Sequence, residues 1–266
     1  MTNPKGSFIW YELMTSDPDG AKAFYDKVVG WTIAGPSAQQ PNGIDYRHIV
    51  RSDGGGNGGV LRLTPEMTDH GARPCWLGYL YVADIDAEIA AITAEGGKLL
   101  MPKMTIDVGS FAMVTDPQGV PFYIMTPIAP AGREGVPSDA YDRLAVQHVS
   151  WNELYTPDLE AAKAFYAKHF DFEFNNSMPM GEEFGDYCFI DHKGEDIGAV
   201  MRKPSHVPVP GWNYYIHVGD IDVAKAAIEA NGGQVLNGPM EVPGGDWVIN
   251  GMDPQGAAFS LVGAKG

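Results

Sequence analysis

Two short segments carry the side chains best suited to chemistry: Trp10-Tyr11-Glu12 and Trp151-Asn152-Glu153. Both sit in β-type runs. Strand side chains alternate between faces, so each Trp/Glu pair points one way while Ile9, Tyr11 and Leu13 point toward the helices. An indole offers a flat stacking surface, and a carboxylate that burial deprives of water becomes a candidate general base. Glu12 and Glu153 are therefore the candidate catalytic groups. Other chemistry-bearing residues fall into no familiar pattern. The seven histidines form no HExxH, HxH or His-x-x-x-His pair. His217 reads as a structural or interface residue, while His48 and His148 are conceivable neighbours of Glu12 or Glu153 in an unconventional metal site. Cys75 and Cys188 stand 113 positions apart without a CxxC and read as buried small apolar residues. Gly54–Gly59 formally contains G-x-G-x-x-G, but a strand follows it and no helix, so it reads as a hairpin connection. No G-x-S-x-G, P-loop or Cys/His nucleophile signature is present.

The elements that must position these residues are written twice. The segment at 10–31 matches that at 151–172 at an offset of 141, sharing Trp, Glu, Leu, Asp and a Lys-Ala-Phe-Tyr block. Residues 83–104 match 219–240 at offset 136, and Asp116-Pro-Gln-Gly119 matches Asp253-Pro-Gln-Gly256 at 137. Each half is itself two βαβββ modules. In the first, a strand at 7–14 leads to a helix with Asp17 as N-cap, Pro18 at N1, a stripe of Ala21, Phe24, Tyr25 and Val28, and Gly30 as stop. Strands are expected near 31–34, 44–50 and 59–64. The second module has a strand at 76–82, a helix from Asp84 with Ile85, Ile89 and Ile92 on one face, and strands near 98–101, 110–115 and 120–126. The second half repeats this, with strands near 147–154, 171–174, 186–191, 197–202, 212–218, 234–237, 246–250 and 257–262. A Pro- and Gly-rich stretch separates the halves, giving domains at 1–130 and 145–266 with a linker at 131–144.

Composition narrows the partners. With 18 Lys+Arg against 34 Asp+Glu, the formal charge of −16 repels phosphate backbones and anionic headgroups, so no nucleic acid and no membrane are expected. No apolar run approaches a membrane span, and the opening residues lack a signal-peptide core, so a cytoplasmic protein is expected.

The module count, the Asp-x-x-x-Ala-x-x-Phe-Tyr segments and the paired Asp-Pro-x-Gly motifs resemble the vicinal oxygen chelate superfamily, which holds glyoxalase I, extradiol dioxygenases and bleomycin-resistance proteins. The paired W-x-E-L openings are similar to those of two-domain, glyoxalase-like bacterial proteins. The resemblance implies an α+β fold of two tandem domains, each an incomplete barrel around a cavity, with a divalent metal held by His, Gln or Glu. Counting from the helix-start aspartates puts Trp10 and Trp151 at the first ligand position, and Gly78 and Tyr214 at the second. Tyr123 and Ser260 fall on the last strand, and Arg62 and Arg202 on the fourth. An indole cannot ligate a metal, and arginine repels one. No cofactor is therefore expected, with a divalent metal through unplaced ligands as the alternative.

What the resemblance places around the cavity is an aromatic wall with charges: Trp10, Arg62 and Tyr123 in one half, Trp151, Arg202 and Tyr214 in the other. Glu12 is expected to meet Arg62, and Glu153 to meet Arg202. Such a pocket suits a planar or anionic small organic molecule, with arginine pairing to its anionic oxygen. The competing reading is a filled barrel in which each Glu/Arg pair satisfies itself. The expected function is small-molecule binding of the bleomycin-resistance type by a monomer or homodimer. The alternative is a lyase, isomerase or dioxygenase, either metal-dependent or metal-free with a glutamate base.

Overall fold

The computed structural model describes residues 3–36, 43–129, 131–182, 184–205 and 207–266. The first half runs β1 (Phe8–Thr15), α1 (Pro18–Val28), β2 (Thr32–Ile33), β3 (Tyr46–Val50), β4 (Gly56–Arg62), α2 (Pro65–Asp69), β5 (Cys75–Tyr81), α3 (Ile85–Ala94), β6 (Lys98–Ile106), β7 (Gly109–Thr115) and β8 (Pro121–Pro127). The second runs β9 (Val149–Thr156), α4 (Leu159–Phe170), β10 (Ser177–Pro179), β11 (Asp186–His192), β12 (Glu195–Arg202), β13 (Gly211–Val218), α5 (Ile221–Ala230), β14 (Gln234–Glu241), β15 (Trp247–Met252) and β16 (Ala258–Gly263). The fold is α+β. Each half contributes one eight-stranded sheet, in the orders β2-β3-β4-β1-β5-β8-β7-β6 and β10-β11-β12-β9-β13-β16-β15-β14. Neither sheet closes into a barrel. In every βαβββ module the first strand lies parallel to the last, because the helix returns the chain to the same edge; β1 with β4 and β5 with β8 are examples.

The start signals act as read. The Asp17 side chain accepts from the Gly20 backbone N–H at 3.1 Å, Pro18 opens α1, and Ala21, Phe24, Tyr25 and Val28 are buried. On α3 the buried face is Ile85, Glu88 and Ile92, with Ile89 only half-buried. Glu88 occupies the inward stripe because it is charge-paired there: His169 Nδ1 lies 2.6 Å from it and Lys5 Nζ 3.2 Å. Three further expectations change. The glycine run is not only a connection, since Gly56, Gly58 and Gly59 lie inside β4. The strand expected at 171–174 shrinks to a single bridge, Glu173 with Asp191, and pairing resumes at β10. Pro65 does not merely end a strand; it opens the short α2, capped by Thr64.

The chain divides into two compact units, and each draws on both halves of the repeat. One comprises the chain up to Ile9, Gly78–Ser138 and Asn152–Trp212; the other comprises Trp10–Leu77, Asp139–Trp151 and Asn213–Gly266. Within the second, the Tyr25 hydroxyl accepts from Trp76 Nε1 at 3.0 Å and donates to Asp253 at 3.1 Å. Phe259 packs edge-on against Phe24 and Tyr25. Within the first, the Tyr166 hydroxyl accepts from Trp212 Nε1 at 3.2 Å and donates to Asp116 at 3.3 Å, among Phe122, Phe170 and Phe172. The repeated Lys-Ala-Phe-Tyr and Asp-Pro-Gln-Gly motifs are therefore reciprocal. The tyrosine of each half binds the aspartate of the other, and burial pushes both aspartates above the usual carboxylate range despite the backbone amides they accept.

Candidate functional site

The register around β1 decides which side chains meet. Leu13 pairs with Val60, and Val60 with Arg47, whose buried guanidinium reaches Asp19 of α1 at 2.7 Å. That side of the sheet faces the helix. Glu12 pairs with Gly59, Gly59 with His48, and Leu61 with Tyr46, so Trp10, Glu12, Tyr46 and His48 share the opposite side. Trp10 Nε1 donates to the Tyr46 hydroxyl at 2.7 Å. The His48 ring stands edge-on to both, with centroids 6.0 Å from Trp10 and 5.7 Å from Tyr46. Gly59 makes room for this arrangement, since a Cβ there would lie 2.0 Å from the Tyr46 oxygen.

Glu12 is 2% exposed and sits at the base of this aromatic wall. Its charge is felt nearby. Burial and then Glu12 push the Cys75 thiol up to about 12. Burial and then Glu12 also raise the Tyr46 hydroxyl, against the smaller opposing effect of the Trp10 N–H. Tyr46 therefore stays protonated and can donate, while the carboxylate can accept.

The second half repeats part of this. Tyr187 occupies the place of Tyr46 at the same offset of 141 that relates Trp10 to Trp151 and Glu12 to Glu153. Its hydroxyl donates to Glu153 at 2.7 Å, and Phe189 stands edge-on to it. The Trp151 ring is covered by the Arg143 guanidinium, 5.5 Å from its centroid. Sequence reasoning missed both tyrosines, although the constant offset was a signal that could have found them.

Other expected site residues lie elsewhere. Arg62 pairs with Thr15, three positions beyond Gly59 and on the α1 side, where it is exposed; Arg202 does the same opposite Thr156. Neither reaches its glutamate, because an odd number of steps along a strand changes face. Tyr214 is a core residue, edge-on to the buried Tyr11 at 5.2 Å. Its neighbour Tyr215 pairs with Ser260, in a chain where Asn250 Nδ2 donates to Ser260 at 2.8 Å and Ser260 donates to Asn213 at 2.9 Å. Likewise Tyr79, not Gly78, shares a face with Tyr123, stacked at 4.2 Å and 13° beside Phe111. Counting back from the helix cap therefore runs one residue early on β5 and β13.

With these corrections the positions at which the resemblance implies metal ligands hold an indole, phenols, a serine hydroxyl and, opposite each glutamate, Gly59 or Ala199. The Trp10 nitrogen is already a donor to the Tyr46 hydroxyl. This donor set does not fit a divalent cation, and among the described residues no group of three or more His, Cys, Asp or Glu gathers to hold one.

Open eight-stranded sheets of paired βαβββ modules, with an aromatic and acidic patch on the face opposite α1, define a class of fold before any relative is considered. The sequence profile of the Glyoxalase/Bleomycin resistance protein/Dioxygenase superfamily matches residues 7–124 and 145–261, and the chain belongs to this superfamily. A Mycobacterium tuberculosis protein provisionally named a glyoxylase, CFP32, is 27% identical over 97% of this chain and 95% of its own length. The anthracycline biosynthesis protein DauV of a Streptomyces species is 26% identical over 97% and 93%. Among solved structures, the Mn(II)-bound glyoxalase from Novosphingobium aromaticivorans superposes with a TM-score of 0.63 at 17% identity, covering 98% of this chain and 83% of that one. A homoprotocatechuate 2,3-dioxygenase variant from Brevibacterium fuscum gives 0.65 at 13% identity, covering 98% and 73%. These last two likenesses concern the fold alone.

Proposed function

We propose that the chain is a small-molecule binding protein of this superfamily, holding a planar organic ligand against Trp10 and Tyr46 without a metal. The observation that carries this reading is the hydrogen-bonded Trp10/Tyr46 pair standing beside the buried Glu12 carboxylate, on the sheet face opposite α1. Flat aromatic surface beside a few fixed polar groups is the usual make-up of a small-molecule site. A relative named for anthracycline biosynthesis supports a polycyclic aromatic ligand class. The test is a thermal-shift and tryptophan-fluorescence screen of planar aromatic compounds, including anthraquinones and acridines, against the parent chain, Trp10→Ala and Glu12→Gln. Ligand responses that vanish in both variants support the site; responses unchanged in both remove it.

A second reading is favoured by one observation. A protonated tyrosine beside a buried glutamate, seen with Tyr46 and Glu12 and again with Tyr187 and Glu153, is an arrangement that can move a proton. A metal-free isomerase or lyase with Glu12 or Glu153 as base would lose turnover on Glu→Gln while keeping ligand affinity, whereas a pure binder shows no turnover at all.

A further inference from the structure

The second sheet carries a row of uncharged polar side chains across four of its strands. Tyr215 of β13 pairs with Ser260 of β16, Ser260 with Asn250 of β15, and Asn250 with Asn237 of β14. Directly paired residues share a face, and here the side chains join. Asn237 Nδ2 donates to Asn250 Oδ1 at 3.4 Å, Asn250 Nδ2 to the Ser260 hydroxyl at 2.8 Å, and Ser260 to Asn213 Oδ1 at 2.9 Å. All five residues belong to one compact unit. Phe259 packs against Phe24 and Tyr25 of α1, so its neighbour Ser260 and the row turn the other way. That side is open: Asn213, His217, Asn250 and Val262 are half-buried, while Tyr214, Ile216, Ile249 and Leu261 between them are buried.

The first half builds the same row from other residues. Tyr79, Tyr123, Met113 and Met101 pair in the same order across β5, β8, β7 and β6, and the two tyrosines stack on each other at 4.2 Å. Phenols and thioethers packed in this way complete themselves, whereas carboxamides and hydroxyls keep donors and acceptors to spare. Asn213 gives only its oxygen to the row, which leaves its N–H donors for an incoming acceptor. One step along β13 on this face, the buried Nδ1 of His217 has no hydrogen-bond partner among the described residues, a cost that a ligand hydroxyl can relieve. We infer that the β13–β16 face of the second half is a separate binding site for a neutral polyhydroxylated ring, a sugar or cyclitol, whose adjacent hydroxyls extend the chain of hydrogen bonds at Asn213 and Asn250. Each hydroxyl both donates and accepts, as a carboxamide does. No carboxylate, ammonium or guanidinium belongs to the row, so it offers no partner to a charged ligand. Burial holds the His217 imidazole below its ordinary value despite Asp246 and Asp142, so this ring adds no charge at neutral pH. The inference stands apart from the Trp10 pocket and adds a second site of different chemistry.

Two probes built on the same ring test it: myo-inositol and cyclohexanol. Binding is followed by NMR on the side-chain amide signals of the isotope-labelled full chain, those of Asn213 and Asn250 being identified by their loss in Asn213→Ala and Asn250→Ala. On the parent chain both sets of signals should move saturably with myo-inositol, which should bind roughly tenfold tighter than cyclohexanol, the equivalent of about one to two hydrogen bonds. Asn213→Ala and Ser260→Ala, followed on the Asn250 signals, should each bring myo-inositol down to the cyclohexanol level. The preference on the unaltered chain tests the inference even if a variant fails to fold. Equal affinity for the two probes, a myo-inositol preference that survives either variant, or no saturable movement of these signals overturns the inference. Each of those outcomes leaves the Trp10 pocket standing, because the aromatic-ligand screen reads the other half of the repeat.

Discussion

At the residue scale, Glu12 is the group whose surroundings say most about the site. Burial, and after it the Glu12 carboxylate, holds the Cys75 thiol up near 12, so almost no thiolate is present at neutral pH. Glu12→Gln removes the charge, the thiol moves back toward its ordinary value, and alkylation of Cys75 by iodoacetamide at pH 8–9 should speed up. The rate is to be measured in a Cys188→Ser background so that only one thiol reports. Glu88 gives the pH dependence. Its burial alone would raise its pKa, but the His169 hydrogen bond and the Lys5 charge outweigh that and hold it below the ordinary glutamate value. A depressed carboxyl contributes stability that is full above its unfolded value and lost as pH falls through its folded one. The stability gap between parent and Glu88→Gln, read from urea unfolding, should therefore be widest at pH 6 and shrink below about pH 4.5. Of the site residues, Trp10, Glu12 and Glu153 were legible because they are duplicated. Tyr46 was not, because only the strand register sets it on the face of Trp10.

At the element scale, glycines in β4 set how closely strands and side chains approach. A Cβ at Gly58 would stand 1.9 Å from the Tyr11 carbonyl oxygen, and one at Gly198 would meet the Asn152 carbonyl oxygen at the same distance. At Gly59 the obstacle is instead the far end of the Tyr46 side chain. Gly58→Ala should therefore destabilise the fold by about 3 kcal/mol or more, because backbone cannot yield. Gly59→Ala should cost about 1 kcal/mol by turning Tyr46 away, while abolishing ligand binding. Chemical denaturation and the aromatic-ligand fluorescence screen check the two halves of that contrast. The same register explains the misplaced arginines. Arg62 was assigned by matching the fourth-strand runs at 60–63 and 200–203, but its face is set by which residue of β1 it opposes, and only the pairing of Glu12 with Gly59 decides that.

At the scale of the whole molecule, the repeats do not act independently. Tyr25 and Asp253 are 228 positions apart and Tyr166 and Asp116 are 50 apart, yet they form the same buried link in the two compact units. Expressing 1–130 and 145–266 separately should thus yield chains that lack cooperative unfolding by circular dichroism alone and regain it when mixed, since each unit needs parts of both. Tyr25→Phe and Tyr166→Phe should each cost about 1–3 kcal/mol, because each leaves a buried indole N–H and an aspartate short of a partner. The sequence by itself determined the four modules, their caps and stripes, and the membership of a known superfamily, because hydrophobic period, helix signals and repeat offsets are local or self-comparing properties. Only the tertiary structure decided that Tyr215 and Tyr79 occupy the places first assigned to Tyr214 and Gly78, and that Tyr46 replaces Arg62 beside Glu12. It also decided that each half completes its core with the other's aspartate. Those facts depend on strand register and on contacts between distant residues, and a change of one step in register exchanges the two faces of a strand without altering any pattern along the chain.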